Sequence, residues 1–146
     1  MIGLIQRVTS ASVTVDKECV GKISNGILLL LGVEKGDNAE ITKRLVNRVI
    51  NYRIFEDATG RMNLSLLATK GELLVVPQFT LPADTKKGTR PSFTPAAPPE
   101  LGETLYQQFI TDARQQVDPV QTGVFGADMQ VTLVNNGPAT FWLTVN

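Results

Sequence analysis

Alternating hydrophobic and polar positions predict β-strands near the start of the chain. Residues 2–15 predict two strands, because residues 11–16 alternate at the two-residue period of a half-buried sheet. A third strand region begins with residues 20–23. After a turn it continues as the uninterrupted apolar run 27–33, which is typical of a strand covered on both faces and is therefore expected at the centre of the sheet.

Two stretches have the period of amphipathic helices. Asp37 and Glu40 have the spacing of a capping box, and the apolar positions after them predict a helix that ends near Arg53. A second helix is expected to begin at Pro99 or Glu100, because proline suits the first helical turn. Core packing is sufficient to explain its apolar stripe, which consists of Leu101, Leu105, Phe109, Ala113 and Val117.

The rest of the chain completes an α/β pattern. Residues 73–76 predict a short apolar strand, residues 82–99 hold enough proline and charge to predict an irregular surface loop, and residues from 121 to the end alternate again. The pattern has no repeat and no linker. It predicts one α/β domain over residues 1–146, in which two amphipathic helices pack on one face of mixed, largely antiparallel β-sheet layers.

Composition excludes several kinds of chemistry. The 146 residues contain 14 Lys plus Arg and 14 Asp plus Glu, so any contact with nucleic acid must be local. With no histidine and one cysteine, the chain can form neither a Ser-His-Asp nor a Cys-His arrangement, neither a disulfide nor the usual zinc site; we expect no metal and no cofactor. Arg7 interrupts the first apolar residues, and no apolar run is long enough to span a bilayer, so a soluble, cytoplasmic protein is expected.

A proline interrupts the strand pattern at position 77 and allows two interpretations. Proline cannot donate to a β-ladder, so it could mark a bulge that turns the following side chains and amides towards a site. Alternatively, it could mark a strand end after which Gln78 and Thr80 face water while Phe79 and Leu81 face the core. Ordinary alternation favours the second interpretation.

Two other segments also have simple interpretations. The Asn-Gly pair at positions 136 and 137 lies between alternating strands, which predicts a hairpin turn with a trans Gly137–Pro138 bond. The basic cluster of the proline-rich loop consists of Lys86, Lys87 and Arg90. Such a cluster could hold one or two phosphates of an RNA end, although solvated surface is the simpler interpretation.

Taken together, these segments resemble the D-aminoacyl-tRNA deacylases. That family carries a Ser-Gln-Phe-Thr-Leu motif and an Asn-x-Gly-Pro-x-Thr motif, which match residues 77–81 and 135–140 of this chain. Further matching stretches lie at residues 5–8, 30–37, 52–55, 62–64, 87–93 and 127–131. The resemblance implies a three-layer fold and a homodimer with two active sites at the subunit interface. Each site would be completed by the Gly-Pro motif of the partner chain.

The resemblance also implies how substrates are chosen. In the family the Gly-Pro bond is cis, and the carbonyls of Gly137 and Pro138 would meet the amino group of the bound amino acid. A rigid backbone in that position would admit a D side chain, or the hydrogen of glycine in glycyl-tRNA(Ala), and exclude an L side chain. Arg7 would brace this motif, and Met129 is assigned with it to the substrate pocket.

For the reaction, the family implies ester hydrolysis at a tRNA acceptor end. The main-chain N–H groups of Gln78, Phe79 and Thr80 would polarise the ester carbonyl, and the 2′-hydroxyl of the terminal adenosine would help to activate water. Thr80 is interpreted as a positioning residue, because no base adjoins it in the sequence. The basic cluster would lie near the acceptor end.

One departure from the family motif leaves alternatives open. Pro77 replaces the usual serine, which removes a hydroxyl and an amide donor. Animal-type relatives, which have Pro-Gln-Ala-Thr-Leu and accept L-alanyl-tRNA, also have proline here. An L-alanyl-tRNA editor and an inactive protein that binds the acceptor end are therefore alternatives, whereas Phe79 and the 135–140 motif favour the D-specific group.

Overall fold

A long N-terminal strand organises the sheet. In the computed structural model, which describes residues 1–146, β1 (Ile2–Val15) pairs along one edge with β3 (Gly26–Gly32) and then with β2 (Glu18–Ile23). Its other edge pairs with β8 (Gln130–Thr144). The prediction of two strands over residues 2–15 is wrong. The register of β1 with β8 shifts twice between Gln6 and Ser10, and on the other edge the partner changes from β3 to β2, but the strand continues without ending.

The sheet is mixed and largely antiparallel, as predicted. Strand β6 (Glu72–Pro77) runs parallel to β3, and β7 (Val120–Thr122) runs parallel to β6. The order is β2-β1-β3-β6-β7, with β8 added to β1. Strand β3 is central and buried on both faces, as its continuous apolar run predicts. The short strands β4 (Phe55–Glu56) and β5 (Met62–Leu64) pair separately.

The structure contains both predicted helices and a short third one. They are α1 (Ala39–Asn51), α2 (Leu66–Thr69) and α3 (Pro99–Arg114). Helix α3 begins at proline as predicted, whereas α1 ends two residues before the predicted Arg53. The single turn of α2 was not predicted, because four residues are too few to show a helical period. None of the three helices has the length and apolar character needed to cross a membrane.

The predicted capping box at the start of α1 is wrong. Asn38 is the N-cap, and its side-chain oxygen accepts the Ile41 N–H at 3.0 Å. The carboxylate of Asp37 instead accepts the Met1 ammonium group at 2.9 Å and the Glu34 N–H at 2.7 Å. The ammonium group is buried and also binds the Glu34 carboxylate at 2.8 Å. The Asp37 side chain, which the sequence assigned to the capping box of α1, is therefore paired with the ammonium group of the first residue.

Hydrophobic clusters lie on both faces of the sheet and give the molecule three layers. The larger cluster fills the space between the helices and one face, and includes the predicted stripe residues Leu105, Phe109, Ala113 and Val117. On the other face the sheet curls so that β2 approaches β6 and β7. Glycine is needed where they meet, because a Cβ at Gly21 would lie 2.5 Å from the Thr122 carbonyl oxygen. The smaller cluster within this curl consists of Val8, Ala11, Val13, Ile23, Leu28, Leu74 and Val76.

Candidate active site

A cavity of about 560 Å³ lies where β3 and β6 end. Its walls come from these strand ends, the proline-rich loop, the first turns of α3 and the segment before β8, and most of the lining side chains are apolar. An apolar cavity with a few polar groups is typical of small-molecule sites. The lining residues include Pro77, Gln78, Phe79, Phe93, Tyr106, Phe125 and Met129.

Pro77 ends β6 and does not form a bulge. It is buried and pairs with Leu31 in a continuous parallel register, so the strand-end interpretation is correct. The predicted direction of Phe79 is wrong, however, because 63% of this residue is exposed, whereas Thr80 is exposed as predicted. The Leu81 N–H donates to the Gln78 carbonyl at 3.2 Å, and this turn carries Phe79 to the surface.

The three main-chain N–H groups expected to polarise an ester are not equivalent. The Gln78 N–H donates to the Leu31 carbonyl at 2.8 Å, so it is already occupied. The N–H groups of Phe79 and Thr80 donate to no acceptor in the chain. Phe79 lines the cavity and Thr80 follows it directly, and two adjacent free amides are the arrangement that stabilises a developing oxyanion. The structure therefore leaves two of the three expected donors for substrate.

The Thr80 hydroxyl has a partner but no base. It accepts a hydrogen bond from the Gln78 side-chain amide at 2.6 Å. An amide nitrogen of this kind is a donor and cannot take a proton from the hydroxyl. Nothing in this contact activates Thr80 as a nucleophile, and the contact orders the turn that carries the two free amides.

Tyr106 is a cavity residue that the sequence analysis did not single out. Its hydroxyl donates to the Gly123 carbonyl at 3.2 Å, and its ring lies 6.0 Å from that of Phe125. Burial raises the pKa of Tyr106 to about 12, despite the opposing hydrogen bond with Thr122 and the charge of Arg114. The phenol is therefore neutral at physiological pH and acts as a wall. A tyrosine among the apolar residues of a helix gives no sequence signal for such a role.

Met129, in the segment before β8, also lines the cavity. Its sulfur accepts the Val124 N–H at 3.4 Å and occupies the space beside Gly123, where a Cβ would lie 2.7 Å away. Gly123 thus allows Tyr106 and Met129 to form one continuous wall. Met129 was assigned to the substrate pocket in the sequence analysis, and the structure places it on the same cavity as Gln78 and Phe79.

The Gly-Pro motif is not a hairpin turn. Residues on both sides of it pair with β1 in the same antiparallel direction, and residues 136–139 have no partner, so they form an extra loop within β8. The Gly137–Pro138 peptide bond is cis. The prediction of a hairpin with a trans bond is therefore wrong. Residues 136–139 are the Gly-Pro loop.

Arg7 and Asn135 hold the Gly-Pro loop from both ends. Arg7 is 6% exposed, and its guanidinium donates to the Asn136 carbonyl at 2.8 Å and to the Ile54 carbonyl at 2.7 Å. The Asn135 side chain donates to the Arg7 carbonyl at 3.0 Å and to the Ala139 carbonyl at 3.2 Å. Hydrogen bonds from a buried charged group are among the stronger ones, so the loop has a fixed position on β1.

A single chain does not bring the Gly-Pro loop to the cavity. Arg7 pairs with Ile27 near the start of β3, whereas Pro77 pairs with Leu31 near its end. Four residues of strand correspond to roughly 13 Å. The loop residues also do not line the cavity. The two motifs therefore lie towards opposite ends of the sheet.

The basic cluster lies on a loop that is closed by its own backbone. Asp84 and Ser92 exchange hydrogen bonds of 2.8 and 3.0 Å, and the residues between them are exposed. The cations on this loop are Lys86, Lys87 and Arg90, none of which forms an ion pair. They do not line the cavity, but Phe93, which follows the closing pair directly, does. The structure contains no group of three or more His, Cys, Asp or Glu side chains that could hold a metal ion.

Comparison with known proteins identifies the family. The model of the family described as "D-Tyr-tRNA(Tyr) deacylase" matches residues 4–144. A curated "D-aminoacyl-tRNA deacylase" of Salmonella typhimurium is 57% identical over 145 residues, which cover 99% of this chain and 100% of the relative. The chain is therefore a hydrolase in class. It belongs to the D-Tyr-tRNA(Tyr) deacylase family.

Solved structures give the same fold. A structure described as "c-Myc DNA Unwinding Element Binding Protein" is 39% identical with a TM-score of 0.94, over 99% of this chain and 98% of that chain. Another, "Structural Analysis of a probable eukaryotic D-amino acid tRNA deacylase", is 18% identical with a TM-score of 0.83 over 97% of both chains, a similarity that concerns the fold alone. The fold is thus shared by relatives whose sequence identity to this chain differs about twofold.

Proposed function

We propose that the chain hydrolyses the ester between a D-amino acid and the terminal adenosine of tRNA, which releases the free amino acid and tRNA. The observation that carries this proposal is the pair of free N–H groups on Phe79 and Thr80, in a turn whose residue Phe79 lines a cavity of about 560 Å³. The names of close relatives that cover the whole chain supply the substrate class.

The two amides would stabilise the charge that develops on the ester carbonyl oxygen. Water adds to the carbonyl carbon, the bond to the 3′-oxygen of the adenosine breaks, and that oxygen takes a proton. Because the chain has no histidine, the family's use of the adenosine 2′-hydroxyl to help activate water fits the available groups. Gln78 and Thr80 would position the amides through their side-chain hydrogen bond.

Chiral selection would require a second copy of the chain. The Gly-Pro loop is fixed by Arg7 but lies away from its own cavity, so it could serve the cavity of a partner. A partly exposed apolar row supports a homodimer: Leu30, Leu4 and Trp142 pair across three adjacent strands, and Trp142 is 54% exposed.

Exclusion by backbone would set the substrate range. Carbonyls of Gly137 and Pro138 close to the substrate amino group would obstruct an L side chain and leave a D side chain or a hydrogen free, so glycyl-tRNA(Ala) would also be cleaved. The exposed cations Lys86, Lys87 and Arg90 would hold phosphates near the acceptor end. The use of aminoacyl-tRNA in translation would place the reaction in the cytoplasm.

The direct test is single-turnover deacylation of D-tyrosyl-, glycyl-, L-alanyl- and L-tyrosyl-tRNA by the purified protein. We expect cleavage of the first two and protection of L-tyrosyl-tRNA. Binding of D-tyrosyl- and glycyl-tRNA without cleavage would show a binding protein, and preferred cleavage of L-alanyl-tRNA would show an editor of the animal type; either result would overturn the proposal.

The shared site has its own test. A Gly137→Val chain and a chain with Thr80→Pro, which removes one free amide, should each be inactive as homodimers. If each cavity uses the partner's loop, mixing the two chains should create one intact site and restore activity in the mixed dimer. Failure of mixed dimers to recover activity would contradict a shared site while leaving the hydrolysis assay unaffected.

A further inference from the structure

Two exposed phenylalanine rings meet at the mouth of the cavity. Phe79 is 63% exposed and Phe93 is 45% exposed, although both line the cavity. Their ring centroids are 5.4 Å apart, with an interplanar angle of 58°. Such contacts are favourable, but they leave the outer ring faces in water, and paired exposed aromatic rings are characteristic of binding surfaces.

We infer that the Phe79–Phe93 pair is a stacking platform for the nucleobase that precedes the terminal adenosine of the RNA substrate. This inference rests on the proposed function, which places the ester at the free amides of Phe79 and Thr80. An RNA strand that ends at those amides must leave the cavity past its mouth, where the two rings lie.

The position of the rings in the chain supports this path. Phe79 carries one of the two free amides, and Phe93 directly follows the Asp84–Ser92 pair that closes the basic loop. The contact between the two rings therefore joins the turn that carries the free amides to the base of the basic loop. Asp84 carries the one carboxylate of the closing pair. This carboxylate accepts the Lys86 N–H at 3.0 Å, and the hydrogen bond within the loop offsets part of its negative charge.

This combination matches the chemistry of a single-stranded RNA end. Aromatic rings that stack on bases, next to cations that contact phosphates, bind single strands with little sequence preference. Removal of one stacking ring weakens binding by about 1–3 kcal/mol, or roughly 5- to 150-fold. A second copy of the chain could also cover the rings, and the test distinguishes the two occupants.

The test measures the cleavage of two substrates by the Phe93→Leu variant. This substitution keeps an apolar side chain and removes the ring. D-tyrosyl-tRNA has the preceding nucleotide, whereas D-tyrosyl-adenosine lacks it. We expect the KM for the tRNA to rise about tenfold relative to the KM for the adenosine ester, with a smaller change in kcat. An equal change for both substrates, or no change for either, would overturn the inference.

A binding measurement does not depend on turnover. A tRNA with an amide-linked D-tyrosine and 2-aminopurine before the terminal adenosine should lose fluorescence on binding to the native protein and much less on binding to Phe93→Leu. Equal quenching by both proteins would refute stacking on Phe93. Dissociation of a dimer by Phe93→Leu in sedimentation would show that the partner subunit covers the rings. If the native protein quenches the fluorescence but does not hydrolyse D-tyrosyl-tRNA, the proposed function is refuted instead.

Discussion

Replacement of a single peptide N–H by an ester oxygen can separate the proposed oxyanion donors from the structural hydrogen bonds of the same turn. Incorporation of phenyllactic acid at position 79 removes the Phe79 N–H and keeps the side chain. That N–H has no acceptor in the chain, so the fold loses no N–H donor; the Gln78 carbonyl becomes an ester carbonyl and accepts the Leu81 N–H more weakly. The matched control is the corresponding ester at Gln78, whose N–H donates to the Leu31 carbonyl at 2.8 Å.

The two neighbouring replacements should change different quantities: the Phe79 ester should change kcat, and the Gln78 ester should change the free energy of unfolding. Loss of one oxyanion donor lowers kcat by about 10²–10³, which corresponds to roughly 2.7–4 kcal/mol. The ester at Phe79 should therefore lower kcat by that factor and leave the free energy of unfolding close to that of the native chain. The ester at Gln78 should lower the free energy of unfolding by about 1 kcal/mol, because it removes one ladder hydrogen bond, and should change kcat much less.

Single-turnover cleavage of D-tyrosyl-tRNA measures the first quantity, and urea denaturation measures the second. The reasoning fails if the Phe79 ester cleaves at the native rate, because the free amide would then have no part in the reaction. It also fails if the Gln78 ester loses as much activity as the Phe79 ester, because the distinction between occupied and free amides would then carry no information.

Three further predictions follow from buried groups. Asp37→Asn should lower the free energy of unfolding in urea by about 3 kcal/mol, because its carboxylate is 5% exposed and pairs with the buried Met1 ammonium group, whereas Glu34→Gln, at 28% exposure, should lower it by less; equal losses would contradict the role of burial. The raised pKa of Tyr106, about 12 against the usual 10.0, means that the unfolded chain releases this proton first. Stability from this group is therefore complete below pH 10 and should fall by about 2–3 kcal/mol as the pH rises to 12, a loss that should be absent in Tyr106→Phe when unfolding is measured across that range. Arg7→Lys cannot reproduce both hydrogen bonds of the guanidinium and should weaken the preference for D-tyrosyl- over L-tyrosyl-tRNA about tenfold; an unchanged ratio in the deacylation assay would show that the Gly-Pro loop keeps its position without Arg7.

Local patterns predicted the elements whose conformation depends on local packing. The apolar run of β3 predicted a central strand, and Pro99 predicted the start of α3, since both signals lie within the element itself. The errors involve partners that are distant in the sequence. Asp37 binds the first residue of the chain instead of capping α1. The Asn-Gly pair has a strong local preference for a hairpin, but it follows Asn135, whose side chain binds the Arg7 carbonyl 128 residues away.

The candidate site was predicted only in part for the same reason. The motif resemblance selected Gln78, Phe79 and Thr80, but sequence cannot show that the first amide is occupied by the carbonyl of Leu31. It also cannot show that Phe79 meets Phe93, because that contact depends on the path of the intervening loop. Tyr106 was missed because its polar tip is matched to a carbonyl that lies beyond its own helix.

The contacts around the Gly-Pro loop make Arg7 and Asn135 depend on each other. The side chain of Arg7 binds the backbone next to Asn135, and the side chain of Asn135 binds the backbone of Arg7 itself. When either side chain is removed, the backbone segment that the other side chain binds loses part of its own support. The loss of stability of the Gly-Pro loop in a double substitution should therefore be smaller than the sum of the two single losses. Genetic drift at one position then relaxes the constraint on the other.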